Sequence, residues 1–187
     1  MARGRWRSTS LLRRAWRRPT RLFVFKNAVK ELAQQAGYMA SFMTKPYADQ
    51  SASGCHYHPS LLRTDDDSNA FYDPAAADGL SEVARHWIGG QLEHAPALTA
   101  IAAPTINCAK RYKLFSLAPM NATWGHEDRT VAVRVNGGRG ADMHLENRMP
   151  CAGTNPTWSC RRSGGRHRRD AAPTGATAAH CSDRLPG

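Results

Sequence analysis

The stretch "TVAVRVNGGRGADMHLENR", residues 130–148, decides the fold of this chain. Its first part, "TVAVRV" (130–135), is predicted to be a strand. "NGGRG" (136–140) supplies the glycines of a turn, and "MHLENR" (143–148) continues as a second strand. Two strands joined by a short glycine-rich turn are expected to pair antiparallel. The stretch therefore predicts a sheet.

Helices are predicted on the N-terminal side of this sheet. Residues 21–38 place apolar side chains at helical spacing and end at a glycine. "MASFM" (39–43) and "CHYHPSL" (55–61) are expected to be extended, and a second helix is expected over residues 80–102 with Ser81 as its N-cap. Helices alternating with turn-linked strands indicate an α+β domain in which antiparallel strands pack against helices.

The positive charge of the chain lies at its two ends. The 187 residues carry a net charge of +11, but residues 19–158 are neutral, with 13 basic and 13 acidic side chains. Residues 1–18 contain seven arginines and no acid, and residues 159–187 contain six arginines and two aspartates. A basic groove in the folded part is unsupported, so no nucleic acid is expected as its partner. A binding protein that uses its arginine-rich arms remains an alternative.

Both ends are predicted to be disordered. Residues 1–20 resemble a mitochondrial transit peptide in composition and lack the apolar core of a secretory signal. Residues 159–187 are rich in Arg, Gly, Ala, Ser and Thr and cannot bury enough apolar surface to fold alone. The folded domain is therefore expected to span residues 21–158. Frameshifts in a GC-rich gene are one hypothesis for the abrupt change of composition at each end.

Hydropathy and cysteine spacing exclude several classes of protein. No stretch approaches the ~18 consecutive apolar residues of a membrane span, so no membrane partner is expected. The five cysteines include no C-x-x-C pair, which argues against a zinc ribbon or a thioredoxin-like redox site. A scattered, odd set of cysteines is typical of a reducing compartment, and we predict a cytoplasmic protein.

Two histidines and a serine form the first candidate site. His56, His58 and Ser60 stand two residues apart, so in a strand they point to one face and can reach one ligand. A metal or phosphate site is one interpretation. The alternative is an ordinary strand with polar residues on its solvent-exposed face, because a lone H-x-H is weak evidence.

Four arginines form the second candidate site: Arg111, Arg129, Arg134 and Arg148. A guanidinium group matches the oxygen atoms of carboxylates and phosphates with two parallel hydrogen bonds. Each arginine could instead be a surface residue paired with an acid. Glu146 stands two residues before Arg148, so a cation ligand and an anion clamp would share one strand face, as a nucleotide-dependent kinase or ligase requires.

Four ordered motifs resemble the catalytic domain of the glutamine synthetase family. They are "KPYADQSASGCHYHPS" (45–60), "IAAPTINCAKRYK" (101–113), "LAPMNATWGHEDRTVAVRV" (117–135) and "HLENRMP" followed by "NPTW" (144–158). The similarity runs from about Arg21 to Trp158 and implies a partial catalytic domain of the α+β class.

The resemblance implies a reaction and a role for each candidate residue. The family uses ATP to phosphorylate the γ-carboxylate of glutamate, and ammonia or an amine then attacks the acyl phosphate, with Mg²⁺ or Mn²⁺ bridging the phosphates. By position, the metal would be held by His56 and Glu146 and the nucleotide by His58, Ser60, Arg129 and Arg134. Arg129 would also act on the transferring phosphoryl group, and glutamate would be bound by Gly54, Arg111 and Arg148.

The sequence departs from the family pattern in two places. "SLAP" stands where ammonia-using members have a "YEAP"-like sequence, so Leu117 replaces the carboxylate that would deprotonate ammonium. An apolar residue there favours a bulkier amine, as in the glutamyl-polyamine branch, or lost activity. The family's N-terminal domain and further metal-binding glutamates would lie upstream of residue 20. We therefore expect a truncated chain with little activity.

Truncation also bears on assembly. The resemblance implies homo-oligomeric rings with sites shared between subunits, which a chain without the N-terminal domain is not expected to complete. An inactive fragment of the family remains an alternative.

Overall fold

The computed structural model describes residues 17–63, 66–137, 140, 142–156 and 176–184. The predictions made for residues 1–16, 157–175 and 185–187 lie outside this part. The helices are α1 (Arg17–Gln35), α2 (Glu82–Glu93), α3 (Ala95–Ala102) and α4 (Ile106–Ala109). The strands are β1 (His56–Arg63), β2 (Trp124–His126), β3 (Val133–Asn136), β4 (His144–Asn147) and β5 (Ala176–Arg184).

The strands form one mixed sheet in the order β2-β3-β4-β1-β5. The predicted antiparallel pairing of β3 with β4 is confirmed, and it sets Arg134 directly opposite Glu146. β1 pairs antiparallel with β4 and with β5. β2 runs parallel to β3, so the sheet is not antiparallel throughout. Helices and a mixed sheet confirm the predicted α+β class.

The two faces of the sheet carry different chemistry because neighbouring side chains in a strand point to opposite sides. One face is apolar and packs against α2 in the main core, which contains Leu61, Ala84, Trp87, Ile88, Val133, Val135 and Leu145. Arg134, Asn136 and Glu146 alternate with these apolar residues and therefore lie on the other face. The same alternation that builds the core thus gathers polar groups on the opposite side.

The N-cap predicted for α2 is confirmed, but the helix is shorter than predicted. Ser81 Oγ accepts a hydrogen bond from the Ala84 amide at 3.1 Å and donates one to the Ala70 carbonyl at 2.6 Å. The single helix predicted over 80–102 is divided at His94, where α2 ends and α3 begins with Pro96 in its first turn. Proline has no amide hydrogen, so it cannot continue the hydrogen-bond ladder of α2.

α1 confirms the predicted helix, but its apolar stripe is largely uncovered. Leu22 is buried, whereas Phe25 and Leu32 are 42% and 63% exposed. Lys26 anchors the helix by donating to the Ala152 carbonyl at 2.7 Å. Residues 39–43, which were expected to be extended, form no strand.

The tail differs from its prediction in one segment. Residues 159–187 were expected to lack regular structure, yet the backbone of residues 176–184 forms β5 and pairs along the whole of β1. Backbone pairing requires only free amides and carbonyls on the neighbouring strand, so it can form in a segment whose composition offers little apolar surface to bury. Within the described ranges, no helix has the length and apolar character needed to cross a membrane.

Candidate active site

The Glu146 carboxylate lies at the centre of a buried polar cluster on the sheet face opposite α2. Arg148 Nη1 donates to Oε1 at 2.6 Å, and Arg134 Nη1 donates to Oε2 at 3.1 Å. Asn136 Nδ2 also donates to Oε2, at 3.2 Å. β3 and β4 hold these side chains side by side, since Arg134 and Glu146 are cross-strand partners. Both oxygens of one carboxylate are therefore used by strong donors.

His56 joins the cluster from β1 and has a defined tautomer. Its Nδ1 lies 2.8 Å from Glu146 Oε1, and its Nε2 lies 3.1 Å from Arg111 Nη2. A guanidinium can only donate and a carboxylate can only accept. His56 is therefore neutral, with the proton on Nδ1 and an acceptor lone pair on Nε2.

Arg111 approaches from the turn after α4 and is held by backbone carbonyls. Nη1 donates to Met149 O and Nη2 to Arg148 O, each at 3.0 Å. The side chain is buried, and this burial lowers the pKa of the guanidinium because the charged form loses hydration. It remains charged at neutral pH, because an arginine side chain starts from a pKa above ~12.

The electrostatics of the cluster favour anions. Burial alone would raise the pKa of Glu146, but the hydrogen bond from His56 and the positive charge of Arg148 hold it well below its usual range. Burial lowers the pKa of His56, and nearby Arg148 and Arg111 lower it further against the opposing effect of Glu146. Glu127, which pairs with Arg134, is 55% exposed. Two guanidinium groups thus bind one buried carboxylate, and a third, that of Arg111, contacts His56 beside it.

The structure brings together most of the residues predicted from the sequence. His58 is buried, with Nε2 3.9 Å from Glu146 Oε1 and its ring 5.3 Å from that of His144. Gly54 lies so close that an added Cβ would stand 2.8 Å from His56 Nε2 and 3.0 Å from Arg111 Nη2. His56 and His58 are 6% and 4% exposed, so the alternative of a solvent-facing histidine pair is wrong.

Two predicted residues lie apart from the cluster. Ser60 is half-buried further along β1. Arg129 is exposed and makes no hydrogen bond or ion pair with any residue that the structure describes. Its role in phosphoryl transfer stays a prediction.

Two members of the cluster were missed by sequence reasoning. Asn136 binds Glu146, and Glu127 binds Arg134 and accepts from the Gly137 amide at 3.1 Å. Asn136 carried a usable signal, because it stands two residues after Arg134 on the same strand and must share its face. Glu127 carried no such signal, because it lies in the loop between β2 and β3, where side chains do not alternate between two faces.

Comparison with known proteins identifies the family of this chain. Residues 13–158 match the family model for the catalytic domain of glutamine synthetase. The chain belongs to the glutamine synthetase family. The resemblance predicted from the four motifs is thereby confirmed.

Comparison with individual members of the glutamine synthetase family shows how much of each relative this chain covers. Glutamine synthetase of Thermotoga maritima is 42% identical over 125 residues, covering 67% of this chain and 28% of the relative. Gamma-glutamylethanolamide synthetase GlnA4 of Streptomyces coelicolor is 40% identical over 133 residues, covering 71% and 28%. A solved structure of apo GmaS without ligand has a TM-score of 0.68 at 32% identity, covering 84% of this chain and 36% of that one. The chain spans less than a third of these two curated relatives.

The spacing of His56 and Glu146 can be compared with that of neighbouring metal ligands. His56 Nδ1 and Glu146 Oε1 are 2.8 Å apart, close to the ~3 Å edge between adjacent ligands of octahedral Mg²⁺ with ~2.1 Å bonds. The two groups therefore fit as neighbouring ligands. Within the described ranges, no group of three or more His, Cys, Asp or Glu side chains is arranged to hold a metal ion. The other positions would need oxygen ligands from a phosphate, water or further protein groups.

Proposed function

We propose that this chain contributes part of the active site of an ATP-dependent ligase that joins glutamate to ammonia or an amine through γ-glutamyl phosphate. The observation that carries the proposal is the packing of Arg111, Arg134 and Arg148 around the buried pair His56 and Glu146. An arrangement with excess positive charge suits a reaction between two anionic substrates. Glutamine synthetase relatives support the same assignment.

The arginines divide between the two substrates. Arg111 and Arg148 would bind the carboxylates of glutamate, with the backbone near Gly54 beside them, since no side chain separates that backbone from Arg111. Arg134 would bind the phosphates of ATP, and exposed Arg129 would move to the transferring phosphoryl group. Fixed guanidinium groups stabilise phosphoryl transfer because they neutralise the charge of the transition state.

His56 and Glu146 would hold a divalent cation, Mg²⁺ or Mn²⁺, that accompanies ATP. The bound cation would neutralise phosphate charge. Before it binds, the Nδ1 proton of His56 occupies the space between the two ligand atoms. His58 and Ser60, on the same strand, would contact the nucleotide.

Leu117 supports an amine larger than ammonia as the second substrate. It is 58% exposed, and its carbonyl accepts a hydrogen bond from Arg148 Nη2 at 3.2 Å. The loop thus presents an apolar side chain directly beside a proposed glutamate-binding arginine. A positioned proton acceptor contributes ~10² to 10⁴ in rate, and leucine cannot supply one for ammonium. A relative named for gamma-glutamylethanolamide synthesis favours the same choice.

The 187-residue chain alone is expected to turn over slowly. Its described part offers two ligands for a cation that requires near-octahedral, oxygen-rich coordination, so Mg²⁺–nucleotide affinity should be low. A family member without turnover is the competing proposal. Ring assembly, with sites shared between subunits, would be needed to complete the site.

Phosphate release tests the proposed reaction. The purified chain is incubated with glutamate, ATP and Mg²⁺ beside ammonia, ethanolamine or a polyamine. We expect slow release, higher with the larger amines than with ammonia and abolished by Arg148→Gln. Arg63→Gln is the matched control, because Arg63 is exposed at the far end of β1. Rapid turnover with ammonia would contradict the roles given to Leu117 and to the incomplete metal site.

A further inference from the structure

Two buried cysteines lie next to the same glycine, Gly153, beside the arginine cluster. Cys108 on α4 and Cys151 after β4 are both free and fully buried. A Cβ added at Gly153 would stand 3.1 Å from Cys108 Sγ and 3.9 Å from Cys151 Sγ. Both sulfur atoms therefore face the same small space.

The surroundings of the two sulfur atoms differ. Thr105 Oγ1 donates to Cys108 Sγ at 3.1 Å, and Thr44 Oγ1 lies 3.3 Å from the same sulfur. Thr44 Oγ1 already accepts from the Gly153 amide at 3.1 Å, which leaves its own hydrogen free for the sulfur. Cys151 instead donates its thiol hydrogen to the Ala102 carbonyl at 3.2 Å. Cys108 is surrounded by donors, and Cys151 faces an acceptor.

These surroundings favour the thiolate at Cys108. Burial alone would raise the pKa of Cys108, but the hydrogen bonds to its sulfur, those from Thr105 and Thr44 among them, outweigh burial and leave the pKa below its ordinary value. Burial and the neighbouring Cys108 raise the pKa of Cys151 to about 11. Thiolate, not thiol, is the nucleophile in cysteine oxidation.

We propose that Cys108 and Cys151 form an oxidisable dithiol that closes to an intramolecular disulfide with hydrogen peroxide as the oxidant. The Cys108 thiolate attacks one peroxide oxygen, the O–O bond breaks, and Cys108 becomes a sulfenic acid while the other oxygen leaves as water. Cys151 then gives up its proton and attacks the Cys108 sulfur, which expels the second oxygen as water. Two thiols lose two electrons in total, and the peroxide is reduced to two waters.

A bridge at this place would connect the two segments that carry the arginine cluster. Cys108 lies three residues before Arg111, and Cys151 lies three residues after Arg148. Arg111 already reaches across this boundary to the carbonyls of Arg148 and Met149. The disulfide would add a covalent link between the two segments that these hydrogen bonds already join. The proposal does not depend on the ligase reaction.

Peptide mapping of the full chain tests the proposal. The native chain is treated with peroxide, remaining thiols are alkylated, and the digest is analysed without reduction. We expect a cross-linked peptide pair joining Cys108 to Cys151, reversed by dithiothreitol. Oxidation of the chain in denaturant is the reference, since unfolded cysteines pair without this preference.

Single variants separate the two roles. Cys151→Ser should trap Cys108 as a sulfenic acid that dimedone labels, whereas Cys108→Ser should give no dimedone label at Cys151. Cys55→Ser, at another buried cysteine, should leave the bridge intact. If peroxide leaves Cys108 and Cys151 of the native chain unlinked and fully alkylatable after unfolding, the pair is two packed thiols and the proposal is wrong. The wild-type map decides this even if a variant fails to fold.

Discussion

Glu146 shows why the chemistry of single residues could be predicted only in part. Its spacing from Arg148 predicted a shared face, and the two side chains do meet at 2.6 Å. No spacing along the sequence could show that Arg134 and Asn136 would use the second carboxylate oxygen, because that contact depends on the register of two strands. Arg129 also stands at a matching motif position, but its side chain is exposed, so its role stays a prediction.

The stability of the folded chain should fall as the pH is lowered below neutrality. In the folded state the pKa of His56 is lowered, so below about pH 6.5 the unfolded chain takes up a proton that folded His56 resists. The pKa of Glu146 is also lowered, which adds the same effect below about pH 4.3. The unfolded state binds more protons in both windows, so the free energy of unfolding decreases.

Urea unfolding of the chain in a metal chelator, at several pH values between about 4 and 7, measures this dependence. His56→Asn should flatten the slope near pH 6, because asparagine does not titrate. An unchanged slope in that variant would show that His56 is not the group responsible.

Gly54→Ala should disturb the cluster, because the new methyl group would stand 2.8 Å from His56 Nε2 and 3.0 Å from Arg111 Nη2. Atoms this close must move apart, at a cost of about 1–3 kcal/mol typical of overpacking. Gly89→Ala is the matched control: nothing lies within 4 Å of its added Cβ, and it sits inside α2. There alanine should stabilise by about 1 kcal/mol. Thermal unfolding of both variants checks the contrast, and destabilisation of equal size would refute it.

At the scale of elements, strand positions and the helix cap were readable from the sequence, and the pairing partners of strands were not. "TVAVRV" predicted β3 because β-branched residues favour strands, and Ser81 predicted the start of α2. The parallel pairing of β2 with β3 carried no local signal, because it joins strands through a loop rather than a hairpin turn. The division between α2 and α3 was not predicted, because apolar residues continue across it, although Pro96 carries a signal for it.

Ser81→Ala should destabilise the packing of α2 against the sheet. The substitution removes the acceptor of the Ala84 amide and the donor to the Ala70 carbonyl. Loss of an N-cap costs about 1 kcal/mol, and the buried carbonyl left without a donor adds about 1 kcal/mol. Ser81→Asp keeps the cap acceptor and should recover part of the loss. Denaturant midpoints measured at constant m-value check this, and an unchanged midpoint for Ser81→Ala would contradict it.

At the scale of the whole molecule, the charge distribution was more informative than the total charge. The +11 of the chain arises outside residues 19–158, and the site found in that neutral middle is a local excess of arginine. The cluster draws on β1, β3, β4 and the segments after α4 and β4, so it exists only when the sheet is assembled. Motif order predicted this convergence over residues 56–148, whereas the pairing of β5 with β1 was not foreseen.

The arginine cluster is proposed to bind a magnesium nucleotide, and titration of the 187-residue chain with Mg²⁺–ATP measures this binding. Isothermal calorimetry is run on wild type, Arg134→Gln and the exposed control Arg63→Gln. We expect weak, saturable, Mg²⁺-dependent binding, unchanged in Arg63→Gln. Arg134→Gln should weaken it at least ~10-fold, since a hydrogen bond to a charged group is worth about 1.5–3 kcal/mol. No saturable binding by wild type, or equal affinities in the two variants, would contradict the account.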